Sequence, residues 1–242
     1  MTGRMTQPAI PGVDNFRDVG GLSAGAATTR FGILYRSGHL DGIRDDGRAA
    51  ITGYGIRRII DLRSDGERGV DPHATEGLDV QVQRVPLFTG SVASLFEEDL
   101  TLDAMYRRIV DDSSEAVVEV VRGIVTDQPV LVHCAIGKDR TGVSVALALA
   151  AAGVDEEEVV ADYARTEASF SPERIRKVVD ALAKHHPEAV NARDLATRSP
   201  APVMRALLAD IDERYGSAAD YLVAHGLTDD EVRELRRVLI AT

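Results

Sequence analysis

The stretch VLVHCAIGKDRTGVSVALALA, residues 130–150, decides how the rest of the chain is read. It opens on β-branched and apolar residues suited to a buried strand and closes on a run that is apolar nearly all round, as a buried helix would be. Between the two stands His133-Cys134-Ala135-Ile136-Gly137-Lys138-Asp139-Arg140-Thr141, which holds the only cysteine of 242 residues. Five residues separate Cys134 from Arg140. With the strand ending at Cys134 and the helix starting near Arg140, the backbone between them must curl into a tight cradle, and Gly137 is free to take a positive φ there. Backbone N–H groups at a helix N-terminus then form an anion site sized for one phosphate, bound by Ala135, Ile136, Gly137, Lys138, Asp139, Arg140 and Thr141. Arg140 adds a planar fork for two phosphate oxygens.

The same positive field favours the thiolate of Cys134. A thiolate beneath a cradled phosphate stands in line with phosphorus, so the expected chemistry has two steps: Cys134 displaces an alcohol or phenol, and water then hydrolyses the phosphocysteine. Thr141 and His133 are placed to hydrogen-bond around the sulfur. The scheme calls for no metal and no other cofactor. A lone cysteine is most often a small buried hydrophobe, but that reading leaves the Gly, Lys, Asp, Arg and Thr that follow it unexplained. Arsenate reduction or sulfur transfer would also use a cysteine in an anion loop. The mid-chain position, the preceding histidine and the lack of a resolving cysteine count against both. A binding module without catalysis would need the cradle and not the thiol.

Outward from this loop, β-favouring runs occur at FGILYRS (31–37), IRRIIDLRS (56–64) and VQVQRVPLF (80–88), with helical patterns between several of them. Strands alternating with helices imply an α/β fold with a mainly parallel central sheet flanked by helices. SSEAVVEVVRGIVT (113–126) repeats Val117, Val121 and Ile124 on one face, and the helix after the cysteine loop ends at Gly153, a favourable C-terminal cap. From Asp155 onward the sequence shows no clear strand and predicts a helical C-terminal half. Ser171-Pro172-Glu173 starts one of its helices, and a capping box from Thr228 to Glu231 starts another. Residues 1–12, polar and punctuated by Pro and Gly, read as a flexible arm before a single domain over 13–242. The charged, proline-marked segment 166–202 is a candidate helical lid. The stripe Ile175, Val178, Val179 and Leu182 within it has the spacing of a core-facing helix side.

A net charge of −11 and 44% hydrophobic residues describe an ordinary acidic globule and disfavour a general nucleic-acid binder. One cysteine excludes an intrachain disulfide and any cysteine-clustered metal site. No apolar run approaches a bilayer span, and the N-terminus lacks a signal-peptide core, so a cytoplasmic protein, or one exported without a cleavable signal, is expected. The His185–His186 pair has no matching ligand cluster nearby in sequence and reads as a solvated helix end.

The loop HCAIGKDRTG resembles the HCxxGKDRTG signature of bacterial atypical tyrosine-protein phosphatases, a family of cysteine-dependent enzymes. NFRDVGGL (15–22), LYRSGHL (34–40), DLRSDGE (61–67) and the closing DERYGSAADYLVAHGLTDDEVRELRRVL are similar to that family's recurrent segments, in the same order. The resemblance covers about residues 12–242. It implies hydrolysis of phosphotyrosine on proteins, with phosphoserine, phosphothreonine and phosphoinositides as further substrates, Cys134 as nucleophile and Arg140 as phosphate clamp. Lys138 would add charge for acidic lipid headgroups.

The leaving group needs a proton, and with no tryptophan the usual Trp-Pro-Asp acid loop is absent. Asp139 is the leading acid; bracing the loop is its competing role. Asp61 and Asp65 stand in reserve. Arg63 is expected to brace the floor of the site against a partner such as Glu67. Arg36 is either a second phosphate contact or a structural ion pair. Asn15 and Asp18 read as organisers of the N-terminal loop.

Overall fold

The structure is a computed structural model that describes residues 8–69, 75–87 and 98–241. The chain begins with three short strands, β1 (Arg17–Asp18), β2 (Ser23–Ala24) and β3 (Ala27–Thr29), and then β4 (Leu34–Ser37). Helix α1 (Asp45–Gly53) leads to β5 (Arg58–Asp61), the single turn α2 (Asp65–Arg68) and β6 (Gln81–Arg84). Helices α3 (Leu102–Asp112) and α4 (Ser114–Thr126) precede β7 (Val130–His133) and the long α5 (Asp139–Ala152). The remainder is α6 (Glu156–Ala164), a 3-10 turn at Glu167–Ser169, α7 (Pro172–His185), α8 (Ala192–Thr197), α9 (Ala201–Tyr215), α10 (Ala218–Ala224), α11 (Asp229–Leu239) and β8 (Ile240–Ala241).

The main sheet has the order β1-β4-β7-β5-β6, with β4, β7, β5 and β6 parallel and β1 antiparallel at the edge. Side chains alternate between its faces. Leu34, Ile60, Val130 and Val132 enter a large core with α3 to α6 and α9 to α11, while Tyr35, Ile59 and Leu131 join Leu40, Ile51 and Phe16 on the other face. Burial on both faces explains why these strands read as continuous apolar runs. Helix α5 lies among α3, α4, α6, α10 and α11, so its Ala and Val faces are covered on all sides. It ends at Gly153, whose φ of 94° permits the left-handed cap. The capping box Thr228–Glu231 starts α11 as its spacing predicts.

Three features differ from the sequence reading. Residues 1–7 of the expected arm lie outside the described residues, but Ile10 is 2% exposed in the Tyr35–Leu131 core, so packing begins before Val13. The C-terminal half does contain a strand: β8 pairs with β3, which pairs with β2, in a second antiparallel sheet. Elements of two or three residues are too short to carry an alternation pattern. Finally, Ile175, Val178, Val179 and Leu182 are only half-buried, because α7 packs chiefly on the short α8 rather than on the main core. Among the described residues no helix is long and apolar enough to cross a membrane.

Candidate active site

The loop between β7 and α5 is held from outside by its carbonyls. Ala135 O accepts from His39 N at 3.1 Å, and Ile136 O from Asn15 Nδ2 at 3.4 Å. Gly137 O accepts from Asn15 Nδ2 at 2.9 Å and from Arg36 Nη2 at 3.0 Å. Lys138 O takes the first helical bond, from Gly142 N. With the carbonyls engaged on the protein side, the N–H groups of Ala135, Ile136 and Lys138 have no partner among the described residues. Such a row of unpaired donors at a helix N-terminus is an anion-binding concavity. Gly137 N donates to Cys134 Sγ at 3.2 Å, so the sulfur sits at the base of the row. Gly137 has φ 74°, and a Cβ there would lie 2.3 Å from Ser37 O, which rules out any other residue at this turn.

Arg140 is clamped by Glu67. Its Nη1 donates to Glu67 Oε2 at 2.7 Å and to Leu62 O at 3.3 Å, and its Nη2 donates to Glu67 Oε1 at 2.6 Å. Those bonds use three of five donors. Nε and one N–H of Nη2 have no partner among the described residues, and these are parallel donors on one edge of the guanidinium. Burial works against the charge of Glu67, but the bonds and charge of Arg140, with Ser64, hold its pKa down at about 2. Burial likewise opposes the charge of Arg140, yet Glu67 and the charge of Cys134 raise its pKa. Glu67 is aimed by a capping box with Ser64 at the start of α2.

A buried ionic network supports the loop from behind. Asp162 on α6 receives Arg17 Nε at 2.7 Å and Arg36 Nη1 at 2.7 Å, and Arg17 also binds Asp162 O, Thr166 Oγ1 and Asn15 Oδ1. Burial would raise the Asp162 pKa, but the two arginines keep it low. Burial and then Arg17 bring Arg36 down to about 10, against the pull of Asp162. Arg36 is thus in a structural ion pair rather than at the phosphate site. Asn15 organises the cradle itself, while Asp18 accepts from Gly20 N and Gly32 N further along the N-terminal loop.

Asp139, the first residue of α5, accepts at Oδ1 from Tyr106 Oη at 2.8 Å and from Lys138 Nζ at 2.6 Å. Tyr106 in turn contacts Tyr163 Oη at 2.6 Å. Burial, then Asp139, pushes the Tyr106 hydroxyl well above its ordinary pKa, so it stays protonated. The Lys138 side chain is fully buried and also donates to Arg198 O at 2.8 Å, so it ties the cradle to the segment before α9. Thr141 Oγ1 is buried without a partner among the described residues.

Several expectations need correction. Arg63 is paired bidentately with Asp61, not with Glu67. Residues 61 and 63 share a side of extended backbone, whereas Glu67 lies on the following helical turn and faces Arg140. His133 does not hydrogen-bond the sulfur: its Nδ1 is 3.4 Å from Cys134 O and its Nε2 is 3.8 Å from Asp61 Oδ1. Burial brings its pKa down to about 4 despite Asp61, so the ring is neutral. Burial works against the charge of Asp61, but the hydrogen bonds and charge of Arg63 outweigh it and hold the pKa below its ordinary value. Asp65 is paired with Arg68 with its side chain 92% exposed. Arg17, Asp162, Tyr106 and Tyr163, and the pairing of Glu67 with Arg140, were missed by the sequence reading.

A strand, a turn whose amides lie open over one thiol, and an arginine clamp at the head of the next helix define a cysteine-based phosphate-ester site. The sequence pattern of the tyrosine phosphatase family matches residues 8–241, and the chain belongs to that family. The triple specificity protein phosphatase PtpB of Mycobacterium tuberculosis is 31% identical to it, over 96% of this chain and 98% of that one. A tyrosine-protein phosphatase of Nostoc commune is 29% identical, over 83% of this chain and 72% of that one.

Proposed function

We propose that this member of the tyrosine phosphatase family hydrolyses phosphotyrosine on proteins through a phosphocysteine intermediate, with phosphoserine, phosphothreonine and phosphoinositides as further substrates. The observation that carries the reading is the loop whose carbonyls are all engaged from behind while its amides stand open over Cys134. Phosphate oxygens accept from those amides and from the free Nε and Nη2 edge of Arg140, which stabilise the charge of the transition state. The sulfur of Cys134 forms the bond to phosphorus as the bond to the leaving oxygen breaks. We assign the proton for that oxygen to Asp139, whose Oδ2 has no partner among the described residues while Oδ1 is held in place. Water then attacks the phosphocysteine and releases inorganic phosphate. Segment 166–202 is read as a lid, with α7 half-covered beside α8.

The test is turnover of a phosphotyrosine peptide, a phosphoserine peptide and a phosphoinositide by wild type and Cys134→Ser. The wild type is expected to turn over the phosphotyrosine peptide, and the serine variant to bind a phosphate analogue without turning anything over. Substantial activity in the serine variant would remove Cys134 from the nucleophile role.

A further inference from the structure

Two successive residues of α6 support the cradle in different ways. Asp162 holds Arg36, whose Nη2 donates to Gly137 O, and Tyr163 reaches the head of α5 through Tyr106 of α3. Both tyrosines are fully buried and meet edge to face, with ring centroids 6.0 Å apart. The glycine after Thr141 makes room for this arrangement: a Cβ on Gly142 would lie 3.0 Å from Tyr163 Cδ2 and 3.5 Å from Arg36 Nη2. That glycine closes the cysteine motif, and phosphate binding alone gives it no task.

The two hydroxyls form a chain with one direction. A tyrosine has a single O–H to donate. Tyr106 gives its own to Asp139 Oδ1 at 2.8 Å, so the 2.6 Å contact with Tyr163 is filled by the Tyr163 hydroxyl donating to Tyr106. Burial and then Asp139 push both hydroxyls above their ordinary pKa, so neither proton leaves. Lys138 Nζ donates to the same carboxylate oxygen at 2.6 Å and spends another hydrogen on Arg198 O. Oδ1 therefore receives two donors, and a proton placed on it would face the hydrogens of both. Oδ2 has no partner among the described residues, and Asp139 keeps 19% of its side chain exposed.

A carboxylic acid with two donors on one oxygen carries its proton on the other. When that proton is passed on, the charge left behind meets donors already aimed at it, at no cost in reorganisation. Resting on the assignment of Asp139 as the acid, we propose that Tyr106 and Tyr163 are positioning residues for it: their directed chain keeps the proton on Oδ2 and presents it to the leaving oxygen. Neither tyrosine touches substrate. Tyr106 acts on Asp139 directly. Tyr163 acts one step removed, since its donated bond polarises the Tyr106 hydroxyl, so its loss has an effect of the same kind and smaller.

The experiment measures kcat and KM of wild type, Tyr106→Phe, Tyr163→Phe, Asp139→Asn and the double variant Tyr106→Phe with Asp139→Asn. The substrates are a phosphotyrosine peptide and para-nitrophenyl phosphate, whose leaving group departs without a proton. Phenylalanine keeps each ring in the core. Tyr106→Phe is expected to lower kcat on the peptide about tenfold at unchanged KM, the yield of one hydrogen bond to a charged group, and to slow para-nitrophenyl phosphate far less. Tyr163→Phe shows the same split at a smaller size, and it decides the matter alone should Tyr106→Phe fail to fold. In Asp139→Asn the further change Tyr106→Phe costs nothing more, since the group it positions has gone. Equal losses on the two substrates, an undiminished loss on top of Asp139→Asn, or wild-type kcat on the peptide overturns the proposal and leaves the tyrosines as packing. Asp139→Asn slowing both substrates equally would instead refute the acid assignment on which the proposal rests, and the proposal with it.

Discussion

Replacing Glu67 by glutamine tests the clamp on Arg140 through stability and catalysis together. Glutamine keeps the size of the side chain and one acceptor, but it removes the charge that two Arg140 nitrogens face at 2.6 and 2.7 Å. The Glu67 pKa falls from 4.5 to about 2 in the folded chain. At about 1.4 kcal/mol per unit the shift corresponds to roughly 3.4 kcal/mol, and partial solvent screening of this rim carboxylate brings the expectation to about 1.5–2 kcal/mol. Because the folded value is the lower one, the contribution is fully present above the unfolded pKa and is lost as the pH falls through about 2.

Urea unfolding of wild type and Glu67→Gln across that pH range is the assay. The gap is expected at its full size at neutral pH and to close as acid protonates Glu67. In parallel, kcat/KM at neutral pH falls about tenfold or more, since a guanidinium free to turn presents its open edge less often. A stability gap that stays constant across the range would show that the shift is not the source of the effect. Unchanged kcat/KM would show that the clamp does not position Arg140.

Three further substitutions address the rest of the site. Gly137→Ala places a Cβ against Ser37 O at a φ of 74°, so loss of phosphate-analogue binding and of turnover is expected, and an active variant would contradict the cradle geometry. Asp162→Asn leaves Arg17 and Arg36 buried without a counter-charge; about 3–5 kcal/mol of stability is expected to go, seen as a fall of roughly 10 °C or more in Tm, and an unchanged Tm would remove the network from the framework. Asp139→Asn should slow phosphotyrosine and alkyl phosphates about 10²–10⁴-fold and an activated aryl phosphate far less, because only the poor leaving groups need the proton. Equal losses on both, with a lower Tm, would make Asp139 a brace for the loop.

What could be read from sequence follows the range over which each interaction acts. The cysteine loop is contiguous, so its cradle, its positive-φ glycine and the helix after it are legible from one stretch of residues. Helix α4 carries its own periodicity, and α11 carries both its periodicity and a capping box. The pair Arg17–Asp162 joins positions 145 residues apart, and Arg140–Glu67 joins positions 73 apart. No local pattern encodes such a pairing; it depends on how the sheet brings its strand ends together.

The error over Glu67 makes the same point within seven residues. Had residues 63–67 formed one helix, Arg63 and Glu67 would have been neighbours at i and i+4. The chain leaves β5 in extended form and starts α2 only at Asp65, so Arg63 turns back to Asp61 and Glu67 is released toward Arg140. The segment DLRSDGE with the following Arg68 thereby faces two ways: Glu67 holds Arg140 on one side of the strand edge, and Arg63 and Arg68 line a cavity on the other. A shift of α2 by one residue would turn Glu67 away from Arg140, so the cradle depends on where the turn begins and on the Ser64–Glu67 capping box rather than on the other side chains the turn carries.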